Sequence, residues 1–338
     1  MSAYNAAATL RHTLASLSSS TLAEWEAVIV NDASEDSTSD QLEAFSAREP
    51  RVRVLHNSKN LGLAASLNLA IDAAHSPYLA RLDADDSLLP DRLARQNAYL
   101  DARPNVGVVG MGAYTIDDAG RPLGYKCPLP TEVIPWARLW RVPFIHPTVM
   151  MRREVLDAHG LRYDAAFRVA QDFELWGRLL SVTCGANLNH PGIRYRVHPG
   201  QATKTKINQR LDFHRDASRR QLADIVQTQI TDNMLEAQRG YFLGEVPRGH
   251  DVPNLCDALR WREMVAETMS LRSVREPIET GFGLDLWHIL QNHRRVSSRR
   301  DILNRCMRRR ALAKSAPLLV KQRALAEFWK HRSRLAKA

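Results

Sequence analysis

The chain is poor in cysteine: four in 338 residues, with no Cys-x-x-Cys pair. Cys127, Cys184, Cys256 and Cys306 lie far apart. That scatter argues against a disulfide framework or a zinc site and fits a reducing compartment. Long apolar runs are also missing, and none approaches the roughly 18 residues that span a bilayer. The first residues lack the basic-then-apolar pattern of a secretory signal. A soluble, cytoplasmic protein is the expectation. Internal repeats are absent, and so is a Gly-rich, Lys/Arg-bearing phosphate loop after a first strand, which disfavours a nucleotidyltransferase.

The net charge of +10 is unevenly placed. Residues 293–338 carry 15 Lys/Arg against 2 Asp/Glu, whereas residues 1–292 carry 32 against 35. The basicity therefore belongs to a tail, which suits an anionic membrane surface or a solvated helical face. Nucleic acid is disfavoured as a partner, because Trp329 is the main aromatic interleaved with these charges.

In the first half, short β-like runs alternate with helical patterns. Strands are expected at Glu26–Val30, Arg51–Leu55, Tyr78–Leu82 and Val106–Gly110. Helices are expected at Asn5–Leu17, Thr38–Arg48, Gly62–His75 and Pro90–Arg103. This alternation predicts an α/β domain with a parallel sheet covered on both faces. A strand at Thr148–Met151 and helices at Arg152–His159 and Asp172–Ser181 follow a Pro- and Trp-rich stretch. The expected division is a catalytic-type domain over 1–204 and a helical C-terminal region with a basic tail over 205–338.

The chemistry concentrates where strands end. Leu82-Asp83-Ala84-Asp85-Asp86 places three carboxylates within four residues, just beyond a buried run. Ligands of open α/β sheets gather at such carboxyl ends. Carboxylates this close repel unless a cation lies between them, and Mg²⁺ or Mn²⁺ with a phosphorylated substrate suits such a cluster. A solvated acidic turn capping the next helix is the plainer alternative. Five further clusters occur: Ser2-Ala3-Tyr4-Asn5; Val30-Asn31-Asp32-Ala33-Ser34-Glu35-Asp36-Ser37-Thr38; Asn60-Leu61-Gly62 with Asn68; Gln171-Asp172-Phe173-Glu174-Leu175-Trp176; and Tyr195-Arg196-Val197-His198.

In this order, over residues 2–203, the set resembles family 2 glycosyltransferases of the GT-A fold, a Rossmann-like nucleotide-sugar-binding architecture. The resemblance implies inverting, metal-dependent sugar transfer from a nucleotide-diphospho-sugar to a saccharide or lipid-linked hydroxyl, in cell-envelope polysaccharide or glycolipid synthesis. It implies that Asp32 and Tyr4 meet the donor base and that Asp83 meets the ribose or the metal's water. Asp85 would ligate Mn²⁺ or Mg²⁺, with His198 as a further ligand. Asp172 would be the catalytic base, with Glu174 at most an acceptor contact. Arg81 and Arg196 are candidate phosphate partners, and His146 lies where the acceptor side begins. Trp136, Trp140 and Trp176 are read as core, with sugar stacking the alternative.

One departure is expected to matter. The family's hydrophobic strand before Tyr-Asn is not visible ahead of Tyr4, so the first strand is expected to be missing and the true start to lie upstream. A truncated GT-A fold that binds nucleotide sugar or a membrane surface without catalysis is the alternative function. A cytoplasmic protein, peripheral on the inner membrane face, is the expected localisation.

Overall fold

The computed structural model describes residues 1–201 and 207–223, with 225–226, 229–232, 234–235, 261–262, 264–266 and 269. The basic stretch 293–338 lies outside them. By contacts, Met1–Pro128 and the described part of Phe144–Ile207 form one unit. Leu129–Pro143 and the described residues from Asn208 onward form a second.

The first unit opens with β1 (Ser2–Ala3), α1 (Ala7–Ser18), β2 (Ala27–Asn31), α2 (Thr38–Ser46), β3 (Val52–His56) and α3 (Leu63–Ala73). Parallel β1-β2-β3 form one sheet. α1 buries Leu10, Leu14 and Leu17 along one helical face. Each such leucine contributes about 1.5–3 kcal/mol of apolar burial. They pack in one cluster with Ile29 and Leu42.

A second sheet contains β4 (Tyr78–Ala80), β5 (Ser87–Leu88), β6 (Val106–Ile116), β7 (Pro122–Lys126), β8 (Met150–Arg152) and β9 (Cys184–Arg196). Its order is β4-β8-β6-β9-β5, with β7 on β6. Only β6–β9 runs parallel; the other pairings are antiparallel. The expected all-parallel sheet is thus corrected to a mixed one, because the later strands return by hairpins and reversals rather than helical crossovers. Around it lie α4 (Arg92–Asp101), α6 (Arg153–Ala158) and α7 (Gln171–Val182), while α5 (Ile134–Ala137) and α8 (Ile207–Ala223) belong to the second unit. β7 lies tight on β6 because Gly112 has no side chain: a Cβ there would sit 1.9 Å from the Tyr125 hydroxyl.

The first strand is not wholly absent. Ser2 and Ala3 pair with Val30 and Asn31, and the Val30 N–H donates to the Met1 carbonyl at 2.9 Å. The strand is only two residues long, so the sheet parts between β2 and β4. A cavity of about 130 Å³, lined by Val28, Leu67, Ala70, Leu79 and Met151 among others, occupies that seam.

In the second unit Trp136 and Trp140 stack at 5.5 Å, and Trp140 meets Trp261 edge-on at 5.5 Å. The fully buried Arg262 guanidinium lies 4.4 Å from the Trp140 ring centre. Both indoles of this pair are buried and so is Trp176 of the first unit. All three are core residues, and the sugar-stacking alternative is corrected by that burial.

Candidate active site

The acidic loop follows β4 and is held from beneath by α1. Thr13, with no exposed surface, places its hydroxyl 2.9 Å from the Ala84 carbonyl and 2.7 Å from that of Asp86. Thr9 reaches the Ala84 carbonyl at 3.2 Å, and Ser16 accepts the Leu88 N–H at 2.9 Å. These hydroxyls face inward from an amphipathic helix, which is why sequence periodicity hid them among polar positions. A second support is the buried pair Arg92 and Gln96. Arg92 donates to the Arg81 and Val149 carbonyls at 2.8 and 3.1 Å and through Nε to Gln96 at 3.0 Å.

Within the loop, one ligand atom from each of Asp83, Asp85 and Asp86 lies within 4.8 Å of the others. Asp83 pairs with the buried Arg81, whose guanidinium also donates to the Leu82 carbonyl. Asp85 lies 3.5 Å from His198 Nε2. Asp86 is 1% exposed; its Oδ1 accepts the Arg196 N–H at 2.8 Å, while Oδ2 is buried with no partner. Burial, then the neighbouring carboxylates, pushes both Asp85 and Asp86 above the usual carboxylate range. An orphaned buried oxygen beside two more carboxylates and an imidazole is the donor set a hard divalent cation would satisfy. The residues therefore fit Mn²⁺ or Mg²⁺.

Arg196 is placed differently from the expected phosphate partner. It is buried, and its guanidinium is spent on the carbonyls of Asp85, Asp117 and Asp118 at 2.8–3.0 Å. It braces the acidic loop instead.

The nucleotide side is built from two interlocked loops. Asn5 donates its N–H to Ser34 Oγ at 3.1 Å and accepts that of Glu35 at 2.9 Å; Asp36 accepts the Ala7 N–H at 3.1 Å. Tyr4 stands 47% exposed on this loop pair. Asp32 is only 2% exposed. One oxygen accepts from Asn57 Nδ2 at 2.7 Å and the Leu61 N–H at 2.8 Å, and the other accepts the Gly62 N–H at 2.8 Å. Gly62 has φ +86°, a backbone that needs glycine. The expected direct contact of Asp32 with a base is corrected: its carboxylate is enclosed and ties the Asn57–Gly62 turn.

Asp172 is half-buried in the first turn of α7. Ala170 before it adopts a left-handed backbone, φ 60°. His146 donates to or accepts from the Tyr163 hydroxyl at 2.8 Å and stacks edge-on against Tyr163 and Trp176. Burial pushes His146 down to about 4; Arg81 adds to this, and Asp172 and Asp83 oppose it. Tyr163 likewise feels both Asp172 and Asp83, and Lys126 feels both Asp172 and Asp86. Three side chains thus sense the α7 acid and the acidic loop together, which makes Asp172, His146 and the loop the candidate site. Asn68 of α3 supports it by exchanging two hydrogen bonds with the Tyr163 backbone, at 2.8 and 2.9 Å. Glu174 is 5% exposed and bound by Arg178 at 2.7 Å, so it serves α7 rather than an acceptor.

Comparison with known proteins follows this geometry. Residues 1–160 match the model of the family described as Glycosyl transferase family 2. Over these residues, somewhat less than half of its length, the chain is similar to that family. The match includes Asp32 and the Asp83–Asp86 loop and ends before Asp172 and His198. A putative glycosyltransferase, EpsE, of Bacillus subtilis is 34% identical over 53% of this chain and 64% of its own. The succinoglycan biosynthesis protein ExoU of Rhizobium meliloti is 32% identical over 58% of each. The chain spans less than two thirds of the length of such curated relatives. The crystal structure of S. aureus TarS 1–349 in complex with UDP-GlcNAc aligns over 91% of this chain and 90% of that one, with TM-score 0.57 and 15% identity. The chain thus shares the fold of that structure, the expected GT-A architecture.

Proposed function

We propose that the chain is a metal-dependent inverting glycosyltransferase that moves a sugar from a nucleotide-diphospho-sugar to a hydroxyl of a saccharide or lipid-linked acceptor. The observation that carries this reading is the acidic cluster, in which one ligand atom from each of Asp83, Asp85 and Asp86 lies within 4.8 Å of the others, with His146, Tyr163 and Lys126 in electrostatic reach of both that loop and Asp172. Asp85 and Asp86, with His198, would hold Mn²⁺ or Mg²⁺, which neutralises charge on the donor diphosphate. Tyr4, exposed on the interlocked loops, would stack on the donor base, and Asp83 would bind ribose. Asp172 accepts the proton of the attacking hydroxyl. The new bond forms at the anomeric carbon as its bond to the phosphate oxygen breaks, and that electron pair leaves with the nucleoside diphosphate. His146, neutral at physiological pH, would hydrogen-bond the acceptor without adding charge.

The relative that is a succinoglycan biosynthesis protein supports a role in envelope polysaccharide synthesis, and the TarS complex with UDP-GlcNAc supports the donor class. The test is release of nucleoside diphosphate from a panel of UDP-, GDP- and dTDP-sugars with Mn²⁺. Chelation should stop release and added Mn²⁺ or Mg²⁺ restore it. Asp85→Ala should lower turnover by about 10²-fold or more. Donor binding with no release against any acceptor would point instead to a non-catalytic binding module.

No helix among the described residues is long and apolar enough to cross a membrane. The basic stretch 293–338 supports peripheral attachment at a cytoplasmic membrane face, since each Lys or Arg near anionic lipid contributes about 1 kcal/mol. Protein lacking residues 293–338 should float less with anionic vesicles than the full chain; equal flotation refutes attachment through this stretch.

A further inference from the structure

The backbone of the acidic loop is pinned carbonyl by carbonyl. The Asp83 carbonyl accepts the Asp86 N–H at 3.3 Å, which closes the turn. The Asp85 carbonyl accepts from Arg196 Nε at 3.0 Å. Those of Ala84 and Asp86 lie 2.9 and 2.7 Å from the Thr13 hydroxyl, whose one hydrogen serves both. Thr13 has no exposed surface, so bulk water does not compete for this bond. Thr9, Thr13 and Ser16 recur at helical spacing along one face of α1, and each bonds the segment Ala84–Leu88. The start of the same helix is tied to the other loop pair. The Ala6 N–H donates to Thr38 Oγ1 at 2.8 Å and the Ala7 N–H to Asp36 at 3.1 Å. One rigid element therefore sets the Tyr4 loop and the acidic loop together. Carboxylates as close as those of Asp83, Asp85 and Asp86 repel one another, and bonds to their backbone are what oppose splaying of the turn.

Resting on the cation-dependent reading above, we propose that Thr13 is the positioning residue of the cation site: its hydroxyl holds the Ala84 and Asp86 carbonyls so that the three carboxylates stay gathered before an ion arrives. Thr13 touches neither ion nor substrate. It acts through the orientation of the peptide units at Ala84 and Asp86, and so limits how far Asp85 and Asp86 can turn apart. Thr9, which reaches only the Ala84 carbonyl, has the smaller share. Preorganisation lowers the cost of binding, and groups that orient metal ligands typically change metal affinity by about 10- to 100-fold.

The experiment is titration of the full chain with Mn²⁺, read by the electron-spin resonance of the free ion, beside a melting curve for each variant. Thr13→Val keeps the side chain's shape and removes the hydroxyl; it should weaken Mn²⁺ uptake about tenfold or more. Thr13→Ser keeps the hydroxyl and loses a buried methyl; it should melt at a lower temperature yet hold Mn²⁺ as tightly as the wild type. Thr9→Val removes the second donor to Ala84 and should weaken uptake about threefold. Wild-type affinity in Thr13→Val overturns the assignment. So does an affinity that merely follows melting temperature, with Thr13→Ser as weak as Thr13→Val. If Thr13→Val does not fold, unchanged uptake in Thr9→Val overturns it instead. If the wild type takes up no Mn²⁺, alone or with UDP, GDP or dTDP, it is the cation-dependent reading that fails.

Discussion

Replacing Asp172 by Asn should lower kcat by about 10³-fold while leaving the fold and donor affinity intact, because general-base catalysis contributes on this order. The substitution keeps size and the half-buried position in the first turn of α7. It removes only the ability to take a proton. Asp172 is also the candidate carboxylate left without an assigned structural duty: Glu174 is bound by Arg178, and Asp83 by Arg81. Single-turnover measurement of nucleoside diphosphate release with saturating acceptor reads the chemical step directly. A loss below about tenfold would move the base role to another group of the candidate site. Asp172→Ala serves as a second variant, since a water in the vacated space partly replaces the lost base.

The largest stability effect is expected at Asp32, where Asp32→Ala should cost about 3 kcal/mol. The change leaves the Leu61 and Gly62 N–H groups and one N–H of Asn57 Nδ2, whose other bond goes to Ser66 Oγ, without an acceptor, each orphaned donor costing about 1–3 kcal/mol. Partial rehydration of the turn keeps the total near the lower end. Burial alone raises this carboxyl's pKa, but the hydrogen bonds from Leu61, Asn57 and Gly62 outweigh it and hold the acid below the usual carboxylate range. The sign of the pH dependence follows. A depressed folded-state pKa contributes stability above the unfolded value, about 3.9, which is lost as pH falls through the folded one. Urea denaturation from pH 7 down to about 3 should therefore show a steeper acid decline in wild type than in Asp32→Ala. Parallel declines would mean that the carboxylate is not the anchor of the turn.

Much of the nucleotide half was legible because its signals are local. The strands ending in Asn31 and Ala80 are apolar runs stopped by acids, and α1 and α3 carry leucines at helical spacing. Those positions need only the chain's own periodicity. β9 was missed because Gly185, Pro191 and Gly192 interrupt its pattern, yet register shifts against β6 absorb the breaks. β6 runs six residues past its expected end for the same reason, since Gly110 and Gly112 read as turn residues but here admit close neighbours. The clustering of Asp83, Asp85 and Asp86 was legible from their spacing, but two other side chains are placed differently from the expectation. Asp32 and Arg196 look like surface groups in sequence, and only their non-local partners, the Leu61–Gly62 turn and the Asp117–Asp118 carbonyls, reveal them as buried struts. Thr13 and Tyr163 left no signal, because each matters through a residue far away in sequence, Ala84 and Asn68.

Ala33 and Ala170 each hold a left-handed backbone; Ala33 follows Asp32 directly, and Ala170 lies two residues before Asp172. For a residue with a Cβ this conformation costs roughly 1–2 kcal/mol. α7 has no side-chain N-cap to compensate, so Phe173, Leu175 and Trp176, all fully buried, must pin the helix start. Thermostability engineering meets a conflict at these two alanines. Glycine would relieve the torsion but loosen the backbone that carries Asp32 or Asp172, setting stability against the positioning of those acids.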